Sequence, residues 1–284
     1  MVARERRPKN VHEPGLMEFL QSGAWPIIVF GGFAVGFLVG LTGVGAGSLM
    51  TPFLISGIGI SPVLAVGTDL LFASITKASA AWRHHSLGNV NWSIVRWLAM
   101  GSLPGAAIVL GWIYLAQPDL HVLADIIKKV LAFALVVSAA CVAAYPILKR
   151  LAAHAPDAHE PTHVRQVPTL ILGTVLGVLV ALTSVGAGAI GVVALTMLYH
   201  SLSARRLVGT DIVHAIPLTF LAGASHFGMG NVDLKILGFL LLGSVPGIAL
   251  GSRITGIVPD WVLRITLALV LFWAAYSLVN PIRH

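Results

Sequence analysis

Asp69 and Asp211 each interrupt a long apolar stretch, and they stand 142 residues apart in the matching settings Gly67-Thr68-Asp69 and Gly209-Thr210-Asp211. A carboxylate among hydrocarbon side chains is costly unless it is paired, protonated or functional. One reading makes the two Asp, with Thr68 and Thr210 beside them, a device for taking up and releasing protons or for gating. The other makes them helix caps near an interface, with Ser61 as a further capping group. Asp125, the other acidic residue in an apolar segment, has no acidic counterpart. Lys77 lies in the same stretch as Asp69, and Thr219 stands at its matching position. A buried Lys could neutralise an anion or pair with an Asp; one near an interface would snorkel its ammonium into water.

Thr42-Gly43-Val44-Gly45-Ala46-Gly47 returns as Thr183-Ser184-Val185-Gly186-Ala187-Gly188. Small residues on alternate positions disfavour a continuous helix, and unwound backbone at membrane depth needs protein or a water-filled cavity to satisfy its amides. A half-helix starting after Gly47 or Gly188 would present free amides and a positive dipole end, which suits an anion. Thr42, Thr183 and Ser184 add hydroxyl donors, so these residues with Gly43, Gly45, Gly47, Gly186, Gly188 and Lys77 form the candidate binding set. The plainer reading is a tight helix-to-helix turn. No Lys-Ser or Lys-Thr follows the glycines, so this is not a phosphate loop of the ATP-binding kind, and a gradient is the expected energy source.

The elements that must position these residues are themselves duplicated. Gly88-Asn89-Val90 recurs as Gly230-Asn231-Val232, and Gly101-Ser102-Leu103-Pro104-Gly105 as Gly243-Ser244-Val245-Pro246-Gly247. A duplicated hydrophobic chain with Gly-interrupted segments in corresponding places is the pattern of a secondary transporter whose site lies between its repeats. With 57% hydrophobic and 10% charged residues, the chain needs lipid as solvent. Its apolar runs approach the ~20 residues of a helical span and lack the alternation of a barrel. The net charge of +7 sits in tails and loops without interleaved aromatics. It reads as topogenic charge and headgroup contact, not nucleic-acid binding. Cys141, alone of its kind, lies in an apolar run and reads as packing.

The expected organisation is a cytoplasmic tail over 1–24, a first repeat over 25–148, a linker over 149–166 and a second repeat over 167–284. The basic tail with Arg4, Arg6, Arg7 and Lys9 does not look like a cleaved signal, because the first apolar segment belongs to the repeated unit. His154, His159 and His163 in the linker lack the partners of known zinc patterns, and no hydrolytic triad or cofactor motif occurs. Neither a metal, a cofactor nor an enzyme activity is expected.

Each repeat parses into five apolar segments. The first two, with the glycine motif, cover about 35 residues or ~50 Å at helical rise, too long for one ~30 Å span. A broken span gives eight crossings and parallel repeats; a hairpin gives ten helical segments and inverted repeats. The eight-crossing parse places eleven Lys and Arg on the side of both termini against six opposite, whereas the hairpin parse divides them eight to nine. The charge bias therefore favours an all-α polytopic protein of about eight crossings with parallel repeats and cytoplasmic termini. Gly32, Gly36 and Gly40, answered by Gly173, Gly177 and Ala181, form small-residue stripes for close helix approach, expected to draw the two glycine motifs together.

These motifs in this order, including Val66-Gly67-Thr68-Asp69 and Arg83-His84-His85-Ser86-Leu87-Gly88-Asn89-Val90, resemble the sulfite exporter TauE/SafE family of membrane permeases over nearly the whole chain, about Trp25 to Val279. The resemblance implies ATP-independent transport of sulfur-containing oxyanions such as sulfite or organosulfonates, most often outward, across a prokaryotic inner membrane. The second copy departs at Ser184 for Gly43 and at Ser225 and Phe227 for Arg83 and His85, so the halves are not chemically equivalent. The expected partners are a small anion, the lipid bilayer and protons, with oligomerisation left open. Rival readings are an anion channel or uniporter of the same fold, a cation or metal permease using Asp69 and Asp211, and a non-transporting scaffold. Replacing Gly45 or Gly186 by Leu should abolish transport with membrane insertion intact; wild-type flux in both variants would remove the glycine motifs from the mechanism.

Overall fold

A computed structural model describes residues 23, 25–42, 47–153, 164–254 and 259–280. The linker histidines, most of the 1–24 tail, and Gly43 and Gly45 lie outside the described residues. Ten α-helices make up the described chain: α1 (Trp25–Thr42), α2 (Gly47–Pro52), α3 (Pro62–Ser86), α4 (Trp92–Ala116), α5 (Leu120–Ala153), α6 (Gln166–Thr183), α7 (Ala189–Leu198), α8 (Ala204–Gly228), α9 (Leu234–Ile254) and α10 (Asp260–Val279). A π-helical turn, Phe53–Gly57, extends α2. Seven helices are long and apolar enough to cross a membrane, while the segments around α1, α2 and α7 are shorter. Leu115, Ile108, Phe30 and Leu269 are among many large apolar side chains left exposed, as expected of a surface that faces lipid. The protein is an all-α polytopic membrane protein.

The helix ends are set locally. Asn91 caps α4 by accepting the Ile94 N–H at 3.1 Å, and Asp233 accepts from Lys235 N and Ile236 N at the start of α9. Ser203 does the same for α8. Asp119 Oδ1 accepts the His121 N–H at 2.8 Å where α5 begins.

Glycines determine how the helices meet. Gly32, Gly36 and Gly40 of α1 lie against the backbone of Leu240, Ser244 and Ile248 of α9, so closely that a Cβ on any of them would collide with a carbonyl oxygen. Gly243, Gly247 and Gly251 return the contact onto Val29, Phe33 and Phe37. The same seam joins α4 to α6, with Gly101 and Gly105 on Leu170 and Thr174, and Gly173 and Gly177 on Leu98 and Ser102. Both pairs run parallel, since the numbers rise together along each seam. The first helix of each five-segment series is therefore clasped by the fourth helix of the other. The stripes on α1 and α6 do not face one another, as their similarity suggested; each seats on a helix from the opposite series.

The pairing of α3 with α8 determines the symmetry. Gly67, near the start of α3, packs on the Asn231 carbonyl just past the end of α8, and Gly209, near the start of α8, packs on the Asn89 carbonyl just past the end of α3. Thr68 Oγ1 accepts the Asp233 N–H at 3.0 Å, and Thr210 Oγ1 accepts the Asn91 N–H at 2.9 Å. The two equivalent helices are thus antiparallel neighbours. Likewise Arg264, early in α10, lies over the ring of Tyr145, late in α5, with 4.3 Å to the centroid. An operation that superposes α3 on an antiparallel α8 is a two-fold across the helix axes, so the repeats are inverted; in keeping with this, Phe53 after α2 returns to Gly31 of α1, and Tyr199 after α7 returns to Thr169 of α6. This corrects the parallel symmetry favoured by the charge count, and it realises the ten-segment alternative. The bias of Lys and Arg misled because seven of the eleven basic residues on the favoured side, Arg4, Arg6, Arg7, Lys9, Lys149, Arg150 and Arg165, lie in the tail and linker and not in the α3 and α8 pair that sets the symmetry.

Gly177→Val should strongly lower thermal stability in detergent, because its Cβ would strike the Ser102 backbone, whereas Gly111→Ala, with open space around it, should be neutral or slightly stabilising. Equal stabilities would dissolve the seam argument.

Candidate functional site

The second glycine motif breaks the chain between α6 and α7. Thr183, the last residue of α6, donates its hydroxyl to Leu179 O at 2.6 Å and accepts from Val185 N at 3.1 Å, which closes the helix end. Ser184 follows in the left-handed region with φ 60°. Gly186 and Gly188 have φ of 134° and 124°, which side-chain-bearing residues rarely adopt. Helical bonding resumes with Gly191 N to Gly186 O and Val192 N to Gly188 O. The amides of Gly188, Ala189 and Ile190 therefore form the open positive end of α7.

Three ionisable side chains converge on that end. Asp211 of α8 lies against the first turn of α7, so close that a Cβ on Gly191 would strike Oδ1, and it accepts a backbone hydrogen bond from Gly188. Lys77 of α3 reaches across to donate to Ala187 O at 3.4 Å and interacts electrostatically with Asp211 and then with Asp69. Asp69 accepts the Thr51 hydroxyl through Oδ2 and has Ser184 of the second motif beside it. Asp69, Lys77 and Asp211 are 0%, 7% and 1% exposed, so this conformation closes over the cluster. Asp69 Oδ1, Asp211 Oδ1 and Ser184 Oγ have no hydrogen-bond partner among the described residues.

The residues singled out from the sequence thus divide. Lys77, Asp69, Asp211, Ser184, Gly186 and Gly188 come together, and Lys77 is buried rather than snorkelling. Thr183 spends its hydroxyl on its own helix. Thr68 and Thr210 bond the backbone of the opposite repeat, each at the loop that leads into α9 or α4. Gly47 opens α2, the side chain of Thr42 lies outside the described set, and Gly43 and Gly45 lie outside it altogether. Asp125 stands apart, paired to Lys129 at 2.9 Å on an exposed face of α5. His226 is buried with Nε2 3.4 Å from Ala181 O. Sequence reasoning missed Thr51, Ser102 and His214. His214 follows Asp211 by three residues, one helical turn, so an ionisable pair on one face of an apolar helix was a usable signal.

The cluster's charge sets what it can hold. With both carboxylates ionised, the Asp69, Lys77 and Asp211 set carries one net negative charge and Asp211 itself occupies the positive end of α7. One proton makes the set neutral; two make it a cation facing open amides. Oxyanion affinity at this place therefore rises with each proton taken up, by Coulomb's law alone.

The family described as sulfite exporter TauE/SafE matches residues 28–278. This chain belongs to that family. Among its relatives, a probable membrane transporter protein of Bacillus subtilis (strain 168), YjnA, is 37% identical over 228 residues, covering 80% of this chain and 89% of that protein. A second from the same organism, YdhB, is 27% identical over 84% of this chain and 93% of its own length. A probable membrane transporter protein of Methanocaldococcus jannaschii is 25% identical over 87% and 92%. No solved structure matches the chain. The protein is a multi-pass membrane transporter for a small-molecule substrate, and the family and the relatives' names accord with a non-enzymatic role.

If the cluster holds an oxyanion, Lys77→Met should weaken its binding by about tenfold or more, the effect of deleting a charged hydrogen-bond donor where water screens poorly, while Arg83→Met, at the end of α3, should change it little. Thermal-shift titration of purified protein reads both. Equal small effects would remove Lys77 from the site.

Proposed function

We propose that this transporter exports sulfur-containing oxyanions, such as sulfite or an organosulfonate, across the cell inner membrane by alternating access between its inverted repeats, coupled to protons. The observation that carries this reading is Lys77 lodged between two buried carboxylates at the open end of α7. Asp211 acts there as a built-in anion. Protonation of Asp211 frees the Gly188 amide and shifts the balance of charge to Lys77, so an incoming oxyanion takes the place of the carboxylate. Loss of the proton on the other side of the membrane restores Asp211 to the amide and expels the oxyanion by like-charge repulsion. Proton and oxyanion cross in the same direction, so export runs on the oxyanion's own outward gradient and an inward proton gradient slows it. Asp69, tethered by Thr51 of the first repeat and adjacent to Ser184 of the second, links the two repeats at the same centre. Its hold on both is the natural point at which proton binding loosens one seam-joined helix pair against the other.

The cation-permease alternative fits less well, because a fixed ammonium among the carboxylates repels a cation. A channel or uniporter of the same fold would need no proton-binding residue, and flux separates it from the coupled exporter. In proteoliposomes loaded with labelled sulfite, Asp211→Asn should permit exchange down the sulfite gradient while abolishing the response to an imposed pH gradient, and Asp69→Asn should impair that response as well. A wild-type response to the pH gradient in both variants would replace the coupled mechanism with a channel or uniporter.

A further inference from the structure

The two repeats place unlike residues at one buried position, and the difference lies at the centre. His214 of α8 corresponds to Phe72 of α3, and both side chains are fully buried. An apolar ring therefore satisfies the packing of this position in the first repeat, and packing does not require histidine in the second. His214 lies one turn along α8 from Asp211, on the same face. Its Nε2 is 2.8 Å from Ser102 Oγ of α4. Its Nδ1 has no hydrogen-bond partner among the described residues, and the ring stands within electrostatic reach of Lys77. The serine shows the same asymmetry. Ser244, the counterpart of Ser102, turns its hydroxyl back to Leu241 O at 3.4 Å in its own helix.

We infer that His214 is a direct ligand of the transported oxyanion, supplied by the second repeat alone, and that Ser102 fixes its ring for that task. The inference rests on the reading of an oxyanion site at the start of α7. With the Ser102 hydroxyl donating to Nε2, the ring proton sits on Nδ1, an unpartnered donor on the helix face that carries Asp211 and within electrostatic reach of Lys77. An unpaired buried ring nitrogen is costly, and an oxyanion oxygen supplies its partner. Donors arriving from Lys77, His214, Ser184 and the backbone match a head group with three outward oxygens, sulfite or a sulfonate, better than a carboxylate with two. The binding site is consequently single and off the pseudo-two-fold axis: the first repeat contributes charge through Lys77 and Asp69, and the second contributes the histidine and the helix end.

The repeat itself supplies the control substitutions. His214→Phe reproduces the first repeat's own residue and should weaken sulfite binding by ~10- to 100-fold in thermal-shift titration, the loss expected from removing one hydrogen bond to a charged group. His214→Asn, whose amide nitrogen stands near the place of Nδ1, should recover most of that loss, as a merely structural role would not. Ser102→Ala should weaken binding several-fold, and Ser244→Ala should leave it unchanged. Wild-type affinity in His214→Phe, with Lys77→Met still impaired, would overturn the inference and leave the oxyanion site standing. If His214→Phe does not fold, Ser102→Ala decides: unchanged affinity overturns the proposal and weakened affinity upholds it. Absence of sulfite and sulfonate binding by the wild-type protein would overturn both this inference and the proposed function.

Discussion

The structure depends on two seams in which helix backbones touch with no side chain between them. Lipid offers no hydrophobic drive to bring apolar helices together, so association rests on close packing, and glycine permits the closest approach. Here each seam joins the first helix of one series to the fourth of the other, α1 to α9 and α4 to α6. Neither series can form its packing alone. The exchange of partners ties the inverted repeats into one body and leaves α3 and α8 as the antiparallel pair between them. Helices sealed by backbone contact behave as units, so the two seams define the natural rigid parts of a rocking motion.

A second consequence is where the charge lies. Because α3 and α8 meet head to tail, Asp69 and Asp211 enter the centre from opposite directions, and Lys77, two turns along α3 from Asp69, comes level with the second glycine motif. The break between α6 and α7 faces this pair, so backbone amides, one ammonium and two carboxylates share a buried space without forming any close salt bridge among themselves. A cluster of this kind is held ready by the fold rather than by mutual attraction. Its members can therefore change protonation state or exchange partners without unfolding the scaffold around them.

Much of this was legible in the chain. The hydrophobic composition and the recurrence of four motifs dictated an all-α duplicated membrane protein, and the doubled Gly-Thr-Asp drew attention to Asp69 and Asp211. The purpose of the doubling was less legible. Gly67-Thr68 of one repeat grips the Gly-Asn-Val loop of the other, and Gly209-Thr210 does the converse, so two motifs that read as separate are the halves of one latch. Reading by repetition also hid what occurs once. His214 escaped notice because Phe72 breaks its correspondence, Ser102 because its match Ser244 is the same residue and only their partners differ, and Thr51 because its match in the second series is apolar.

The sequence by itself determined the lipid environment, the helical spans, the twofold repetition and the identity of the buried charges, because these follow from composition, spacing and the cost of a polar group in hydrocarbon. Only the tertiary structure decided that the repeats are inverted, that each glycine stripe meets the other repeat's fourth helix, and that Lys77 points to the second motif rather than to water. Direction and partner are properties of contacts between segments more than a hundred residues apart. A glycine stripe states that something must come close, but carries no information about which backbone arrives.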